Sequence, residues 1–518
     1  MRIVFTGGRG SSGRGRAIVR WLLVATVVGV LAGVAAIGFQ LLLTWSTSGF
    51  LGALVGHEPA TTAGGGGPRA ATGLERPWLL PLVTGGGAAL AALVALKAAP
   101  ETGGHGTDSA IAAAHDDPSG MRARVPLVKA LTSSLTLGSG GSGGTEGPIA
   151  QIGGGVGSVV ARRAGLPERH ARSVVMTGLG AGIGAIFRAP LGGAVLAAEL
   201  LYRRGVAWEV LLPAIVSSAV AFGVYGAFMG FDPLLGEQWI TGGTAPVDWL
   251  LFVALGLLCG LLGRLYIGTF YGMHHLTERW VRRERGVPPW VPPTAGGLVV
   301  GVIGLAAPAV LGPGYGIIQQ SLSREAVLRM SLWLVLLLPL VKILATALSI
   351  GTGGSGGLFG PGLFIGAVAG AAFWRVCFTG GATTLGPEVF AVVGAAALLG
   401  PTIHAPVGVT LLALEATRSP WLIGPVVVAM LASRAVIGRQ TLYRSQPDKP
   451  GRRAPVIGIA VPAAPTASAA APAAVTAKTS AARPCPAGLT GDAGPHEEDP
   501  RDGPRHPLWT THGRNSDG

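Results

Sequence analysis

The sequence predicts an all-α polytopic membrane protein that is built from two copies of one helical unit. Three observations favour this fold class: an apolar composition, long uncharged stretches, and a glycine-rich motif that occurs twice. Of the 518 residues, 49% are hydrophobic and only 12% are charged, and the mean hydropathy is +0.52. Soluble proteins carry about 25% charged residues, so the composition indicates a chain that lies largely in lipid.

Uncharged stretches in both halves of the chain are long enough to cross a bilayer. Residues 21–45 and 343–374 contain no Asp, Glu, Lys or Arg, and about 20 apolar residues suffice for a transmembrane helix. The 85 glycines would weaken soluble helices, whereas in membranes small residues let helices pack backbone to backbone.

The duplicated motif defines the internal repeat. Residues 138–148 read GSGGSGGTEGP (motif one), and residues 351–361, 213 positions later, read GTGGSGGLFGP (motif two). The sequences FRAPLG and IHAPVG follow motifs one and two, and each proline there lies nine residues before a glutamate, Glu199 or Glu415. We predict repeat one at about 78–228 and repeat two at about 294–437, with the two glutamates capping or bridging helices. The glycine-rich turns of motifs one and two are expected to face one another at a shared site.

Composition divides the chain into three parts. Residues 1–16 are expected to form a flexible cytoplasmic tail, residues 17–446 the transmembrane domain, and residues 447–518, which are Ala/Pro/Ser-rich and then charged, a disordered cytoplasmic tail. Helices are expected at about 21–45, 78–99, 125–137, 146–162, 172–186, 189–202, 209–228, 248–275, 294–309, 328–350, 362–378, 386–400, 404–417 and 421–437.

The net charge of +14 reflects membrane topology, because the basic residues lie beside apolar spans. That placement follows the positive-inside rule and predicts a cytoplasmic N-terminus, so we expect no nucleic-acid partner. The three cysteines have no metal-site spacing, and neither a metal nor a cofactor is expected. The basic clusters are Arg9, Arg14, Arg16 and Arg20; Arg162 and Arg163; Arg203 and Arg204; and Arg279, Arg282, Arg283 and Arg285.

Many apolar segments are shorter than a full span and are interrupted by Gly and Pro. Broken backbone is tolerated in a bilayer only when it is buried in protein or lines an aqueous cavity. Paired short segments at matching positions of two repeats indicate a transporter's substrate site. A helix that starts after Gly-Gly presents free N–H groups and a positive dipole end, which suit an anion. The substrate class is therefore predicted to be small anions.

Glu146 is the strongest single candidate for a functional residue, because it is expected to open a helix whose next charged residue is Arg162. Placing a carboxylate inside a membrane costs free energy, so such a residue is by default a functional candidate. It could occupy the anion's place and leave when protonated, which would make it both a gate and a proton carrier. The alternative is a plain first-turn carboxylate, which helices favour. Phe359 at the equivalent position of motif two favours the gate.

These motifs resemble the CLC family of chloride channels and proton-coupled chloride transporters. The family's second signature, G-(K/R)-E-G-P, is similar to GTEGP at 144–148, and its third, G-x-F-x-P, to GLFGP at 357–361. The first, G-S-G-I-P, resembles GHGTD at 104–108 only loosely, and the late pore tyrosine corresponds to Tyr443. The resemblance covers roughly residues 17–446.

The resemblance implies the CLC chloride channel fold, with two inverted-topology repeats of tilted, partly broken helices. It implies a homodimer with one anion pore per subunit, in a bacterial cell membrane, with both termini cytoplasmic and no CBS domains. Glu146 would be the gating glutamate, and the partners would be chloride or other small anions, lipid and, in exchangers, protons. The implied anion-binding residues are His105, Gly106, Gly144, Gly147, Leu358, Phe359, Gly360 and Tyr443.

Three departures from the family pattern bear on function. His105 stands where the family usually has serine, so its side chain could contact the anion or simply lie at the pore mouth. Thr145 replaces the usual basic residue. Proton-coupled members carry Glu-Glu where this chain has Glu199-Leu200, which favours passive, voltage-gated-type conduction; chloride/proton exchange is the alternative. Tyr443 could also be an interfacial aromatic anchor.

Other function classes fit the sequence less well, and we expect no enzyme. Ser142 and Ser355 each lie in a G-x-S-x-G pattern, which allows an intramembrane serine hydrolase, but a nucleophile is not normally duplicated in mirror-related halves. Of the histidines, only His404 lies on a plausible facing helix. A P-loop is excluded, because neither glycine run ends in Gly-Lys-Ser/Thr. A non-conducting scaffold would leave the carboxylate at a helix end unexplained.

Overall fold

A computed structural model of the chain describes residues 11–65, 67–236, 245–284 and 286–448. Within these ranges the regular structure is helical, apart from two isolated β-bridges between glycine-rich turns. The expected tails lie for the most part outside the described residues. Pro447 and Asp448, which we assigned to the C-terminal tail, are described and accept backbone hydrogen bonds from Arg203 and Arg204.

The first half contains eight α-helices, and their bounds follow the sequence expectation closely. The exception is the first helix, which begins at Ser11, so that residues 11–16 are helical and do not belong to a flexible tail. These helices are α1 (Ser11–Thr47), α2 (Leu80–Ala98), α3 (Thr107–Asp116), α4 (Arg124–Gly138), α5 (Glu146–Arg163), α6 (Glu168–Phe187), α7 (Pro190–Glu199) and α8 (Trp208–Met229).

The second half begins with a helix that continues past the expected end at 275 to Arg283. Two short helices also follow the turn at Gly314, where no helix was expected. The helices of this half are α9 (Pro246–Arg283), α10 (Val291–Ala306), α11 (Tyr315–Ser321), α12 (Arg324–Arg329), α13 (Leu332–Ile350), α14 (Phe359–Thr379), α15 (Pro387–Thr402), α16 (Pro406–Thr417) and α17 (Ile423–Ile437).

Seven helical segments of the described chain are long and apolar enough to cross a membrane. Helix α14, which begins in motif two, is one of these segments, and small residues let membrane helices pack closely. A methyl group on Gly153 would lie 2.2 Å from the carbonyl oxygen of Gly178, which shows how near α5 and α6 approach each other. The seven segments are Val19–Val55, Pro77–Ala98, Trp208–Met229, Pro246–Arg283, Leu332–Ile350, Phe359–Thr379 and Pro420–Ile437.

The packing of the helices repeats between the halves. Helix α1 packs against α4, α5, α6 and α8, and α9 packs in the same way against α13, α14, α15 and α17. Helices α2 and α7 each pack against their own counterparts, α10 and α16. The structural repeat therefore includes α1 and α9 and begins earlier than the sequence repeat at 78 and 294.

The two motifs meet at the centre of this arrangement. Gly144 of motif one and Gly357 of motif two, which are equivalent residues, exchange both backbone hydrogen bonds at 2.8 Å. This reciprocal pair relates one half to the other and brings the first turns of α5 and α14 together, as the duplication predicted.

Candidate functional site

Glu146 is the first residue of α5 and is fully buried. Its Oε2 accepts a hydrogen bond from the backbone N–H of Gly360 at 3.0 Å, and its Oε1 accepts one from the Tyr315 hydroxyl. The amide of Gly360 belongs to the first turn of α14, where backbone N–H groups lack intrahelical partners. The carboxylate of one repeat therefore occupies an anion position at the helix start of the other repeat.

Gly144 and Gly360 make room for that carboxylate. A methyl group on Gly144 would lie 2.2 Å from Oε2 of Glu146, and one on Gly360 would lie 2.9 Å from the same atom. Both distances are too short for carbon and oxygen atoms that are not bonded. A methyl group on Gly144 would also lie 2.7 Å from the backbone nitrogen of Gly360, so a side chain at this position would push the starts of α5 and α14 apart.

Gly106 and Gly147 bring a second backbone segment against motif one. A methyl group on Gly147 would lie 2.1 Å from the carbonyl oxygen of His105, and one on Gly106 would lie 2.4 Å from the carbonyl oxygen of Gly147. Gly106 also has a φ of +72°, which favours glycine. The predicted site residues 105 and 106 therefore lie directly against the start of α5.

His105 and Tyr443 are neighbours in the structure. Their rings are stacked with centroids 5.9 Å apart, and the ring of Phe270 meets His105 edge-on at 5.7 Å. Within the described chain, neither Nδ1 of His105 nor the hydroxyl of Tyr443 has a hydrogen-bond partner of good geometry, although both are buried. Buried polar atoms normally have partners, so these two atoms are available to a bound ligand.

The segment that carries Tyr443 is fixed on both sides. The carbonyl oxygen of Leu442 accepts a hydrogen bond from Tyr271 at 2.7 Å, and the amide of Ser445 donates to Asp108 at 2.8 Å. Asp108 lies two residues after Gly106, so the chain around 104–108 and the chain around Tyr443 are held together. Tyr443 thus lies with the other predicted site residues, although the sequence places it far from them.

Leu358 and Phe359 are buried at the start of α14. The carbonyl oxygen of Leu358 accepts a hydrogen bond from Tyr266 at 2.9 Å. The ring of Phe359 contacts that of Phe187 with centroids 5.6 Å apart. The structure therefore gathers all of the predicted site residues around the first turns of α5 and α14.

Sequence reasoning missed two buried lysines. Nζ of Lys129 donates to the carbonyl oxygens of Thr102 and Gly104, and Nζ of Lys342 donates to those of Val310 and Gly312, at 2.8–2.9 Å. The lysines are 213 positions apart, the spacing of motifs one and two. That shared spacing was the signal that could have identified them.

Each lysine holds a glycine loop. Loop one is residues 104–107 (GHGT), and loop two is residues 312–315 (GPGY). The amide of Gly356 donates to the carbonyl oxygen of Gly104 at 3.3 Å, and the amide of Gly143 donates to that of Gly312 at 3.5 Å. Each loop is therefore attached to the motif of the opposite repeat, and loop two is the counterpart of the predicted anion-binding loop.

Leu200 follows α7 directly and is fully buried. Its carbonyl oxygen accepts a hydrogen bond from the side-chain amide of Gln446 at 3.0 Å. Glu199, the neighbouring carboxylate, accepts hydrogen bonds from the amides of Val407 and Gly408 at the start of α16. Glu199 is therefore a helix cap, as expected, and an apolar side chain stands at the position after it.

The serines of the two G-x-S-x-G patterns are hydrogen-bonded to the side-chain hydroxyl groups of other residues. Ser142 is hydrogen-bonded to Thr346, while Ser355 is hydrogen-bonded to the side chains of Thr132 and Ser133 and to the backbone of Thr102. In the described part of the chain, these serines have no histidine among their hydrogen-bond partners. A serine nucleophile requires an adjacent base, and the geometry provides none at either position.

Comparisons with known proteins identify the family to which the chain is similar. A sequence model of the family described as voltage gated chloride channel matches residues 86–438. The voltage-gated ClC-type chloride channel ClcB of Escherichia coli strain SMS-3-5 / SECEC is 33% identical over 362 residues, which cover 69% of this chain and 80% of the relative. The ClcB protein of Escherichia coli O157:H7 strain EC4115 matches with the same identity and coverage.

Solved structures share the fold at low sequence identity. A slow cyanobacterial Cl⁻/H⁺ antiporter is similar with a TM-score of 0.65 and 22% identity, over 81% of this chain and 94% of that one. A CLC-type fluoride/proton antiporter is similar with a TM-score of 0.69 and 19% identity, over 83% and 98% of the two chains. The chain thus shares its fold with proteins described as anion/proton antiporters.

Proposed function

Because the chain belongs to the voltage gated chloride channel family, we propose that it carries chloride across the membrane through a path gated by Glu146. The chain is an integral, multi-pass membrane protein of a family that transports anions. The proposal rests chiefly on one contact, the hydrogen bond from the amide of Gly360 to the carboxylate of Glu146.

That contact supports gating for an electrostatic reason. Backbone N–H groups at the start of a helix bind an anion without a fixed cation, which allows the ion to leave again. The carboxylate of Glu146 and a chloride ion would compete for the same amide, so the path is closed while the carboxylate is bound. Protonation removes the negative charge and weakens the hold of Gly360 on the side chain.

We propose further that chloride moves passively. In the proton-coupled members that this chain resembles, a second glutamate, which transfers protons on the inner side of the path, usually follows the position of Glu199. Here the position holds Leu200, whose buried side chain has no titratable group. Glu199 is itself bonded to the start of α16 and is a poor substitute for that carboxylate.

Chloride/proton exchange is the alternative, and the buried Glu146 favours it. A carboxylate enclosed by protein must lose its charge or find a new partner when it moves, so its movement can carry a proton. Two antiporters share the fold of this chain, which supports the exchange alternative.

The deciding experiment measures chloride efflux and internal pH together in proteoliposomes. Passive conduction predicts valinomycin-driven chloride efflux without proton movement, and a larger efflux for Glu146→Ala. Protons driven uphill by a chloride gradient would establish the exchanger and overturn the passive proposal. Failure of both proteins to move any anion after confirmed reconstitution would overturn the transport proposal as a whole.

For topology we propose cytoplasmic termini in a bacterial cell membrane. Arg20 on α1 donates to the carbonyl oxygen of Ala164, which follows Arg162 and Arg163 at the end of α5. Basic ends of two helices therefore lie on one side, in keeping with the positive-inside rule. Thiol labelling of single cysteines from either side of intact cells tests this assignment. Subunit counting in liposomes tests the homodimer that the family resemblance implies.

A further inference from the structure

We propose that Tyr315 is a latch that holds the carboxylate of Glu146 in the anion path and so sets how often the gate opens. The inference rests on the proposed role of Glu146 as the gate and assigns a positioning residue for it. The hydroxyl of Tyr315 donates to Oε1 of Glu146, and it also lies 3.0 Å from the hydroxyl oxygen of Thr145. Both partners belong to the start of α5, and their hydroxyl ligand comes from the opposite repeat.

The two oxygens of the gate have separate ligands. Oε2 is bound by the amide of Gly360, where chloride would bind, and Oε1 is bound by Tyr315. Hydrogen bonds to a charged group are roughly twice as strong as neutral ones. The side chain can leave Gly360 only when the bond to Tyr315 also breaks, so this hydroxyl adds to the free energy of opening. It adds nothing to chloride binding once the gate has left.

Loop two holds the hydroxyl in position. The buried ammonium of Lys342 donates to the carbonyl oxygens of Val310 and Gly312 at 2.9 and 2.8 Å. Gly314, with a φ of +81°, precedes Tyr315, and a methyl group there would lie 2.6 Å from the ring of Phe364. Because these hydrogen bonds hold the start of loop two and Tyr315 is the first residue of α11, the tyrosine hydroxyl loses little freedom when it binds the gate.

The two repeats differ in sequence at the positions of the latch and of the gate. Loop one places Thr107 where loop two places Tyr315, and motif two places Phe359 where motif one places Glu146. The amide of Thr107 donates to the carbonyl oxygen of His105 within loop one. The halves have therefore diverged at two facing positions, and the carboxylate and the hydroxyl contact each other across the repeat interface.

The test is a double-mutant cycle of Tyr315→Phe and Glu146→Ala in proteoliposomes. Tyr315→Phe keeps the ring and its packing against Phe187 and removes only the hydroxyl. We expect roughly ten-fold faster chloride efflux, the effect of losing one hydrogen bond to a charged group, and tighter chloride binding by calorimetry. In the Glu146→Ala background the same substitution should change neither quantity, because there is no carboxylate left to hold.

Thr145→Val is a second variant that acts on the same hydroxyl. It replaces the Thr145 hydroxyl, which lies 3.0 Å from the Tyr315 hydroxyl, by a methyl group and should raise efflux by a smaller factor than Tyr315→Phe. Tyr225→Phe, at a buried tyrosine on α8, is the control and should behave like the wild type. The latch is overturned if Glu146→Ala raises efflux and Tyr315→Phe does not, or if Tyr315→Phe acts equally in both backgrounds. Absence of flux in the wild type and in Glu146→Ala would instead overturn the proposed function.

Discussion

Glu199 and Glu415 each cap the helix that carries the other. Glu415, on α16, accepts hydrogen bonds from the amides of Leu191 and Gly192 at the start of α7, and Glu199, on α7, accepts them from the start of α16. A carboxylate at a helix N-terminus satisfies free N–H groups and interacts favourably with the helix dipole. The pair therefore joins the two repeats at equivalent points.

Loss of either cap should destabilise the protein without altering its transport mode. Hydrogen bonds to charged groups contribute about 1.5–3 kcal/mol each, so we expect Glu199→Gln and Glu415→Gln to lower the thermal unfolding midpoint in detergent. Glu325→Gln is the control, since that side chain is 72% exposed and forms a surface ion pair with Arg329. Equal midpoints for Glu199→Gln and Glu325→Gln would contradict the capping role.

Gly147 should not tolerate a side chain. A methyl group at this position would overlap the carbonyl oxygen of His105 and the backbone of Gly357, so Gly147→Ala must push loop one or motif two away from the start of α5. We expect chloride efflux to fall at least ten-fold. Gly223→Ala on α8 is the matched control, because no atom lies within 4 Å of the added methyl group. Normal efflux by Gly147→Ala would show that chloride transport does not require the close packing of Gly147 against His105 and Gly357.

Most of the fold could be predicted from local sequence signals. The duplicated motifs predicted that the starts of α5 and α14 lie together, and the apolar stretches predicted the membrane-spanning helices. The end of α9 was placed too early, because the helix continues as a polar segment in which Glu278 and Arg282 pair one turn apart. The short helices α11 and α12 were missed, since they carry no apolar periodicity long enough to recognise.

The site residues that lie in a repeated motif could be predicted from the sequence. A single side chain that lies far from those motifs in the sequence could not. Glu146 and the glycines follow from motif one and motif two. Tyr315 lies 169 positions from Glu146 and stands in a loop that reads as an ordinary turn. Only the register between loop one and loop two, together with the shared spacing of Lys129 and Lys342, could have connected that loop to the site.

The two lysines should have separate functional effects. Lys129→Met removes the ammonium that binds the carbonyl oxygens of Thr102 and Gly104, and it should change the ratio of nitrate to chloride flux, because loop one lies at the predicted anion site. Lys342→Met frees loop two and removes a positive charge that interacts with Glu146, so it should raise the opening frequency in single-channel or efflux records. Identical phenotypes for the two variants would contradict this division between selectivity and gating.

His105 should determine anion preference through its ring. The ring is stacked on Tyr443, and its Nδ1 has no partner among the described residues, so it narrows the space beside the Tyr443 hydroxyl and offers a polar atom to the ion. His105→Ser should shorten that side chain and admit larger anions, so that bromide and nitrate flux rise relative to chloride. The backbone of loop one should persist, since Lys129 and Gly356 bind the carbonyl oxygen of Gly104. Relative fluxes measured by ion-selective electrodes test this expectation. Unchanged ratios in His105→Ser would mean that residue 105 contributes only its backbone to the path.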